Sequence, residues 1–251
     1  MAELYQHQKD AVARMHNGCI LVGGVGSGKS RTSLAYYQER VCAGGTGPPL
    51  YIITTARKRD TRDWEKECEP FGLKPEAVDS WNNVAKYTET ENAFFIFDEQ
   101  RVVGKGVWVK SFIRIARKNK WVLLTATPGD SWMDYVPVFV ANGFYRNRTD
   151  FIRQHVVYSR VSRYPKVERY LEIGRLVRQR REIVVSMDCR KSTIPHDETV
   201  FTEFDRDMVK MVISTRWDPY KDEPIQDAGG LCYVLRNRRS EERRVGKECR
   251  S

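Results

Sequence analysis

The residues with the clearest chemical capacity form the run Gly23-Gly24-Val25-Gly26-Ser27-Gly28-Lys29-Ser30. Gly23 and Gly28 bracket four residues ahead of a lysine and a hydroxyl, which is the G-x-x-x-x-G-K-[ST] spacing of a Walker A loop. The spacing has a physical reason. Glycines let the backbone turn tightly enough for successive N–H groups to point at phosphate oxygens, and the positive end of the following helix adds to that field. In this pattern Lys29 reaches the β- and γ-phosphates of ATP and the Ser30 hydroxyl holds Mg²⁺, while Gly24, Val25, Gly26 and Ser27 supply backbone donors. The alternative is a flexible Gly/Ser loop that binds nothing. The apolar run Cys19-Ile20-Leu21-Val22 just upstream argues against it, because a phosphate loop needs a strand feeding it.

A second reactive pair, Asp98-Glu99, closes the apolar run Ala93-Phe94-Phe95-Ile96-Phe97. A buried strand holding an acid at its tip is a Walker B placement: Asp98 shares the Mg²⁺ with Ser30. Glu99 then lies beside the γ-phosphate, placed to orient or deprotonate the attacking water. An isolated Asp-Glu pair is usually a solvated turn, so the weight here comes from its position downstream of the Walker A loop. Two further polar clusters end apolar runs, Thr54-Thr55-Ala56 after Leu50-Tyr51-Ile52-Ile53 and Thr125-Ala126-Thr127 after Trp121-Val122-Leu123-Leu124.

These clusters need elements to place them. Residues 4–15 carry Leu4, Ala11, Val12 and Met15 at helical spacing and read as a helix leading to the first strand. A helix continues from Ser30 to Val41, and the Gly/Pro-rich residues 43–49 break it. A charged helix contains Trp64 and Glu65, Ala77-Val78 precede a short helix capped by Ser80 and running through Tyr87, and residues 107–118 form another helix. Apolar strands alternating with helices imply crossover connections. The expected fold class is therefore α/β, a P-loop NTPase with a mostly parallel sheet and helices on both faces. In such a sheet the carboxyl ends of the strands open onto one crevice, where all four clusters would meet. Past Phe139 the periodicity weakens; Ile183-Val184-Val185 and Val200-Phe201 read as strands, and residues 205–215 and 226–236 as helices.

The 251 residues, 41% of them hydrophobic, suffice for one large or two small domains with a buried core. The formal charge is +10. Much of the excess is local: residues 146–181 hold eleven Lys or Arg against three Asp or Glu. Tyr145, Phe151, Tyr158, Tyr164 and Tyr170 are interleaved with these charges, a composition suited to meeting phosphates and stacking on bases; a solvated face with ordinary packing aromatics is the competing reading. Cys19, Cys42, Cys68, Cys189 and Cys232 show no C-x-x-C pairing, so neither a zinc site nor a disulfide framework is indicated, which suits a cytoplasmic location. No apolar stretch approaches the roughly 18 residues of a membrane span, and no membrane partner is expected.

Taken in order, these residues resemble the first motor lobe of superfamily 2 DEAD/DEAH-like helicases and translocases, closest to phage-encoded members and to the Swi/Snf-type branch. The resemblance runs by motif over residues 4–128 and more loosely to Arg236. Leu4-Tyr5-Gln6-His7-Gln8 resembles the family's Q motif, which implies that Gln8 reads the adenine edge. Thr54-Thr55-Ala56-Arg57 followed by Trp64-Glu65 resembles motif Ia, which implies nucleic-acid contacts by Thr54, Thr55 and Arg57. Asp98-Glu99-Gln100-Arg101 stands for the Asp-Glu-x-His motif or a relative, and Thr125-Ala126-Thr127-Pro128 for motif III, making Thr125 and Thr127 the coupling residues. Gln100-Arg101 departs from the Ala-His or Ala-Asp of the best-known branches. Motifs IV to VI, which the family carries on a second RecA-like lobe with its arginine finger, are not found here.

The resemblance implies a RecA-like ATP-binding lobe over residues 1–145 and, over residues 146–238, the end of that lobe and a basic linker toward a second lobe. Residues 239–251 resemble the in-frame translation of a common short-read sequencing adapter, so the natural chain is expected to continue past residue 238. A genuine basic tail is the competing reading. The implied function is an ATP hydrolase that moves on nucleic acid, DNA being the expected partner, with ATP and Mg²⁺ as cofactors and Lys29 and Glu99 as catalytic groups. The alternatives are a phage DNA-packaging motor of terminase type, disfavoured by Gln8 and Trp64-Glu65, and a non-hydrolysing nucleotide-gated DNA-binding module, disfavoured by the intact Glu99.

Overall fold

The structure is a computed structural model that describes residues 3–98, 102, 104–160, 164–187 and 206–235. The chain divides into two compact units, residues 1–191 and 192–251.

The first unit is built on six strands: β1 (Ile20–Val22), β2 (Leu50–Thr54), β3 (Ala77–Ser80), β4 (Phe94–Asp98), β5 (Lys120–Thr125) and a late strand, Val184–Ser186, which is β8 in chain order. They lie in the order β3-β2-β4-β5-β1-β8 with every pairing parallel. Strand side chains alternate in direction, and here both directions are apolar. Ile20, Ile53, Phe95, Phe97, Trp121 and Leu123 point into one core. Leu21, Leu50, Ile52, Phe94, Ile96, Val122 and Leu124 point into the other. A sheet apolar on both faces needs helices on both. One face is covered by α1 (Gln6–Arg14), α2 (Lys29–Tyr36) and α4 (Asp63–Cys68). The opposite face is covered by α5 (Val107–Ala116), α6 (Trp132–Ala141) and α8 (Ile173–Ile183). A short helix α3 (Ala56–Asp60) links β2 to α4. This is the mostly parallel, doubly covered sheet expected from the sequence.

Several elements differ from that expectation. Ala77–Ser80 is a full edge strand, β3, and Ser80 makes no capping bond to the 3₁₀ turn Trp81–Tyr87 that follows. The helix α6 lacks an amphipathic pattern, since its interior holds Pro137 and its surface is apolar nearly all round. Among the described residues past 145, α7 (Arg148–His155), the antiparallel pair β6 (Val156–Tyr158) and β7 (Val167–Tyr170), and α8 lead into β8, which pairs with β1.

In the second unit, α9 (Arg206–Thr215) is followed by the antiparallel pair β9 (Trp217–Asp218) and β10 (Glu223–Pro224), and residues 228–235 are helical. The expected strand at Val200-Phe201 and the adapter-like residues 239–251 lie outside the described residues. Cys19, Cys42, Cys68 and Cys232 are free thiols. Among the described residues no helix is long and apolar enough to cross a membrane.

Candidate nucleotide site

The loop between β1 and α2 has the backbone its glycines allow. Gly26 and Gly28 both sit at φ +79°, in the left-handed region that L side chains rarely adopt. A Cβ on Gly24 or Gly26 would meet nothing within 4 Å, so the loop presents bare backbone, and Val25 is exposed beside it. The Lys29 ammonium lies across the loop, donating to the Gly23 carbonyl at 2.7 Å and the Gly24 carbonyl at 3.0 Å. The Ser27 hydroxyl is buried with no hydrogen-bond partner among the described residues. Such a group ordinarily finds one.

The loop is braced from two sides. The Gly23 N–H donates to the Thr125 carbonyl at 3.2 Å, tying the loop to the end of β5, and the Thr125 hydroxyl accepts the Thr127 N–H at 3.0 Å. Behind Gly28 stands Gln8, where a Cβ would come within 2.1 Å of the Gln8 side-chain nitrogen. Gln8 is only 3% exposed, and its side-chain oxygen accepts the Tyr5 N–H at 3.0 Å. In this structure Gln8 therefore packs against the phosphate loop. The neighbouring Tyr5 is exposed and stacks on His7 with centroids 5.8 Å apart, and His7 Nε2 lies 3.3 Å from the Ser27 carbonyl.

Asp98 ends β4, with β5 between it and β1. Its carboxylate is almost wholly buried, and Oδ2 accepts from three donors: the Thr54 hydroxyl at 2.8 Å, the Lys58 ammonium at 3.0 Å and the Trp64 indole N–H at 3.0 Å. The Trp81 indole N–H donates to the Asp98 carbonyl at 3.0 Å. A buried charge needs this much compensation. Thr54 is fully buried and its hydroxyl donates to Asp98. Thr55 caps α3 by accepting the Lys58 N–H at 3.4 Å, and Arg57 is exposed on the same helix. Glu99, Gln100 and Arg101 lie outside the described residues. A cavity of about 360 Å³ is lined by Ser30, Lys58 and Trp64 among others, so the first turn of α2 and the residues around Asp98 face a common space.

The donor set suits the cofactors the motif implies. A hydroxyl (Ser30) and a carboxylate (Asp98) are the hard oxygen ligands that Mg²⁺ takes. The Gly24 and Gly26 surfaces and the Lys29 ammonium suit a phosphate chain. Sequence reasoning missed Lys58, Trp81 and Tyr5. Lys58 sits one residue past the motif-Ia match in a run of charges, and nothing local marks it as the partner of an acid 40 positions away.

The basic segment divides in two. Tyr145 and Phe151 are core residues: the Tyr145 hydroxyl donates to Gln179 Oε1 at 2.6 Å and lies 2.8 Å from His155 Nε2. These two rings cannot stack on bases, and the packing reading holds for them. Tyr158 and Tyr170 are half-buried in the β6–β7 pair, and Tyr164 is exposed. On α8, Arg175 lies over the Tyr145 ring at 5.5 Å and donates to Gln154, while Arg180 lies over Tyr135 at 5.6 Å. Arg178 and Arg181 are exposed.

No family model matches the chain. No curated protein matches it either. Similar solved structures include the Sulfolobus solfataricus SWI2/SNF2 ATPase core in complex with dsDNA, at 15% identity and a TM-score of 0.55 over 74% of this chain and 44% of that one. The Pyrococcus furiosus Hef helicase domain matches at 17% identity and a TM-score of 0.43, over 61% of this chain and 40% of that one. The UvsW helicase from bacteriophage T4 matches at 16% identity and a TM-score of 0.42, over 55% of this chain and 58% of that one. The chain thus spans less than two thirds of the length of each. At these identities the likeness is one of fold, a mostly parallel sheet with helices on both faces.

Proposed function

We propose that this chain is the nucleotide-binding lobe of an ATP-driven translocase or helicase that moves on DNA. The observation that carries the reading is the meeting of a Walker A backbone with a buried, triply bonded Asp98 at the carboxyl end of one parallel sheet. Bound MgATP would supply the phosphoanhydride and the metal charge. The protein's part is to hold them: backbone N–H groups of residues 24–30 and Lys29 on the phosphates, Ser30 and Asp98 on Mg²⁺. Glu99, next in sequence to Asp98, is the candidate to orient the attacking water. Thr125 ties β5 to the loop, so a displacement at the nucleotide would be felt at Thr127 and the segment beyond it. Arg57, on α3 just past β2, and Thr55 are the candidate DNA contacts at this end of the sheet. A second lobe carrying an arginine finger belongs to this reading, as does a phage origin.

Equilibrium binding of a fluorescent ATP analogue with Mg²⁺ tests it. Lys29→Ala should fold normally and lose at least tenfold in affinity, since the ammonium facing the phosphates is gone. Glu99→Gln should keep binding while phosphate release falls. Equal affinity in wild type and Lys29→Ala would remove the basis of the assignment.

A further inference from the structure

Asp98 already has a cation beside it. The Lys58 ammonium lies 3.0 Å from Asp98 Oδ2, the oxygen that also accepts from Thr54 and Trp64. The two ends of this ion pair differ in exposure. Asp98 is 2% exposed and fixed by its neighbours, whereas the Lys58 side chain is 26% exposed and lines the cavity it shares with Ser30. Its backbone is anchored, because the Lys58 N–H is the donor that Thr55 caps. A partly exposed ammonium on an anchored backbone beside a buried carboxylate is a displaceable counter-ion.

We infer that Lys58 competes with divalent metal for Asp98, so that metal binding there depends on nucleotide. The inference rests on the Mg²⁺ role of Asp98 proposed above. The Lys58 charge serves two ends. It compensates a buried carboxylate that would otherwise stand unpaired, and it repels a free divalent ion at short range. Nucleotide phosphates change this balance: they add ligands for the metal, and their negative charge gives the ammonium another partner within the same cavity. Free Mg²⁺ would then be excluded while Mg²⁺ arriving with nucleotide is accepted. Lys58 is in this scheme a positioning residue that acts through Asp98. Lys29, bonded to the Gly23 and Gly24 carbonyls, serves the phosphates.

The test is Mn²⁺ binding to the full chain, read from the free-ion electron paramagnetic resonance signal with and without ADP. Lys58→Gln keeps a hydrogen-bond donor for Asp98 and removes the charge. Without nucleotide it should bind Mn²⁺ at least about tenfold more tightly than wild type, because the metal no longer has to displace a unit charge 3.0 Å from Asp98 Oδ2, a pairing worth about a factor of ten even at the dielectric constant of water. Lys58→Arg should behave as wild type, and Lys58→Gln combined with Asp98→Asn should lose the gain. Lys58→Met is measured alongside, so that a folding defect in one variant leaves the other to decide. Equal nucleotide-free affinity in wild type and both neutral variants, with ADP-dependent Mn²⁺ binding intact, overturns the role of Lys58 and leaves the nucleotide site standing. A gain that survives Asp98→Asn also overturns it. Loss of Mn²⁺ binding with ADP in wild type itself would sink the metal assignment and this inference together.

Discussion

The bond from Trp64 to Asp98 makes a quantitative prediction about how the helix after β2 is coupled to the acid at the tip of β4. Trp64 is fully buried, and its indole N–H reaches Asp98 Oδ2 at 3.0 Å. Trp64→Phe keeps an aromatic ring and removes this bond. A hydrogen bond to a charged group contributes about 1.5–3 kcal/mol. The lower end applies, because Thr54 and Lys58 still bond the same oxygen. The smaller ring also leaves space in a packed core, costing about 1–2 kcal/mol more. The expected loss is therefore about 3 kcal/mol, read as a lower midpoint in urea denaturation followed by far-UV circular dichroism. A double-mutant cycle with Asp98→Asn separates the two contributions, since packing loss is common to both backgrounds and the charged bond is not. The coupling should be about 1 kcal/mol. A loss below about 1 kcal/mol would show that the indole bond contributes nothing to the fold, and a cycle that closes within about 0.3 kcal/mol that the carboxylate charge adds nothing to that bond.

Two further outcomes are expected. If α8 meets DNA, it does so through Arg178 and Arg181, because Arg175 and Arg180 lie over Tyr145 and Tyr135. Replacing Arg178 and Arg181 with Ser should reduce the slope of log K against log salt by up to about 2 with unchanged stability, and an unchanged slope would place these arginines away from the backbone of the strand. At the end of β3, burial would raise the Asp79 carboxyl, but bonds from Asn83, the Ser80 N–H, Tyr87 and Arg59 outweigh it and hold it below its ordinary 3.8. A carboxyl lowered in the folded state stabilises above the unfolded value and loses that contribution as pH falls through the folded one. The stability gap between wild type and Asp79→Asn should thus be fully open at neutral pH and narrow below about pH 3.8; a gap independent of pH would refute the assignment.

The parts legible in the sequence were those whose physics is local. A run such as Phe94-Phe95-Ile96-Phe97 is apolar on both faces and has few options besides a buried strand, and the Walker A spacing fixes a loop by backbone geometry alone. Pairings across the chain were not legible. Gln8 matched a motif, but only the close approach of Gly28 shows that it lies against the loop. Thr54 likewise fitted a motif, and its bond to Asp98, 44 positions on, could not be read from either residue's neighbours. The arginines of α8 hid a helix whose buried stripe is only Leu176 and Ile183, and whose charges are partly spent on aromatic rings.

The pairing of β8 with β1 bears on how the protein comes to be folded. Ile20 lies beside Val184, Met187 donates its N–H to the Val22 carbonyl, and the Arg14 side chain donates to the Ser186 carbonyl. The strand that feeds the phosphate loop is therefore flanked by a segment made some 160 residues later. During synthesis β1 can dock on β5 as soon as residue 125 is available, and its other edge then waits for residues 184–187. Closing so long a loop is entropically costly and slow relative to the local pairings of β2 with β3 and β4. Through that interval β1 is an open strand edge, able to pair with another chain. The window for misassembly is set by the time the ribosome takes to cross the basic segment, and slowing translation there should lower the yield of soluble protein more than slowing it anywhere before residue 125.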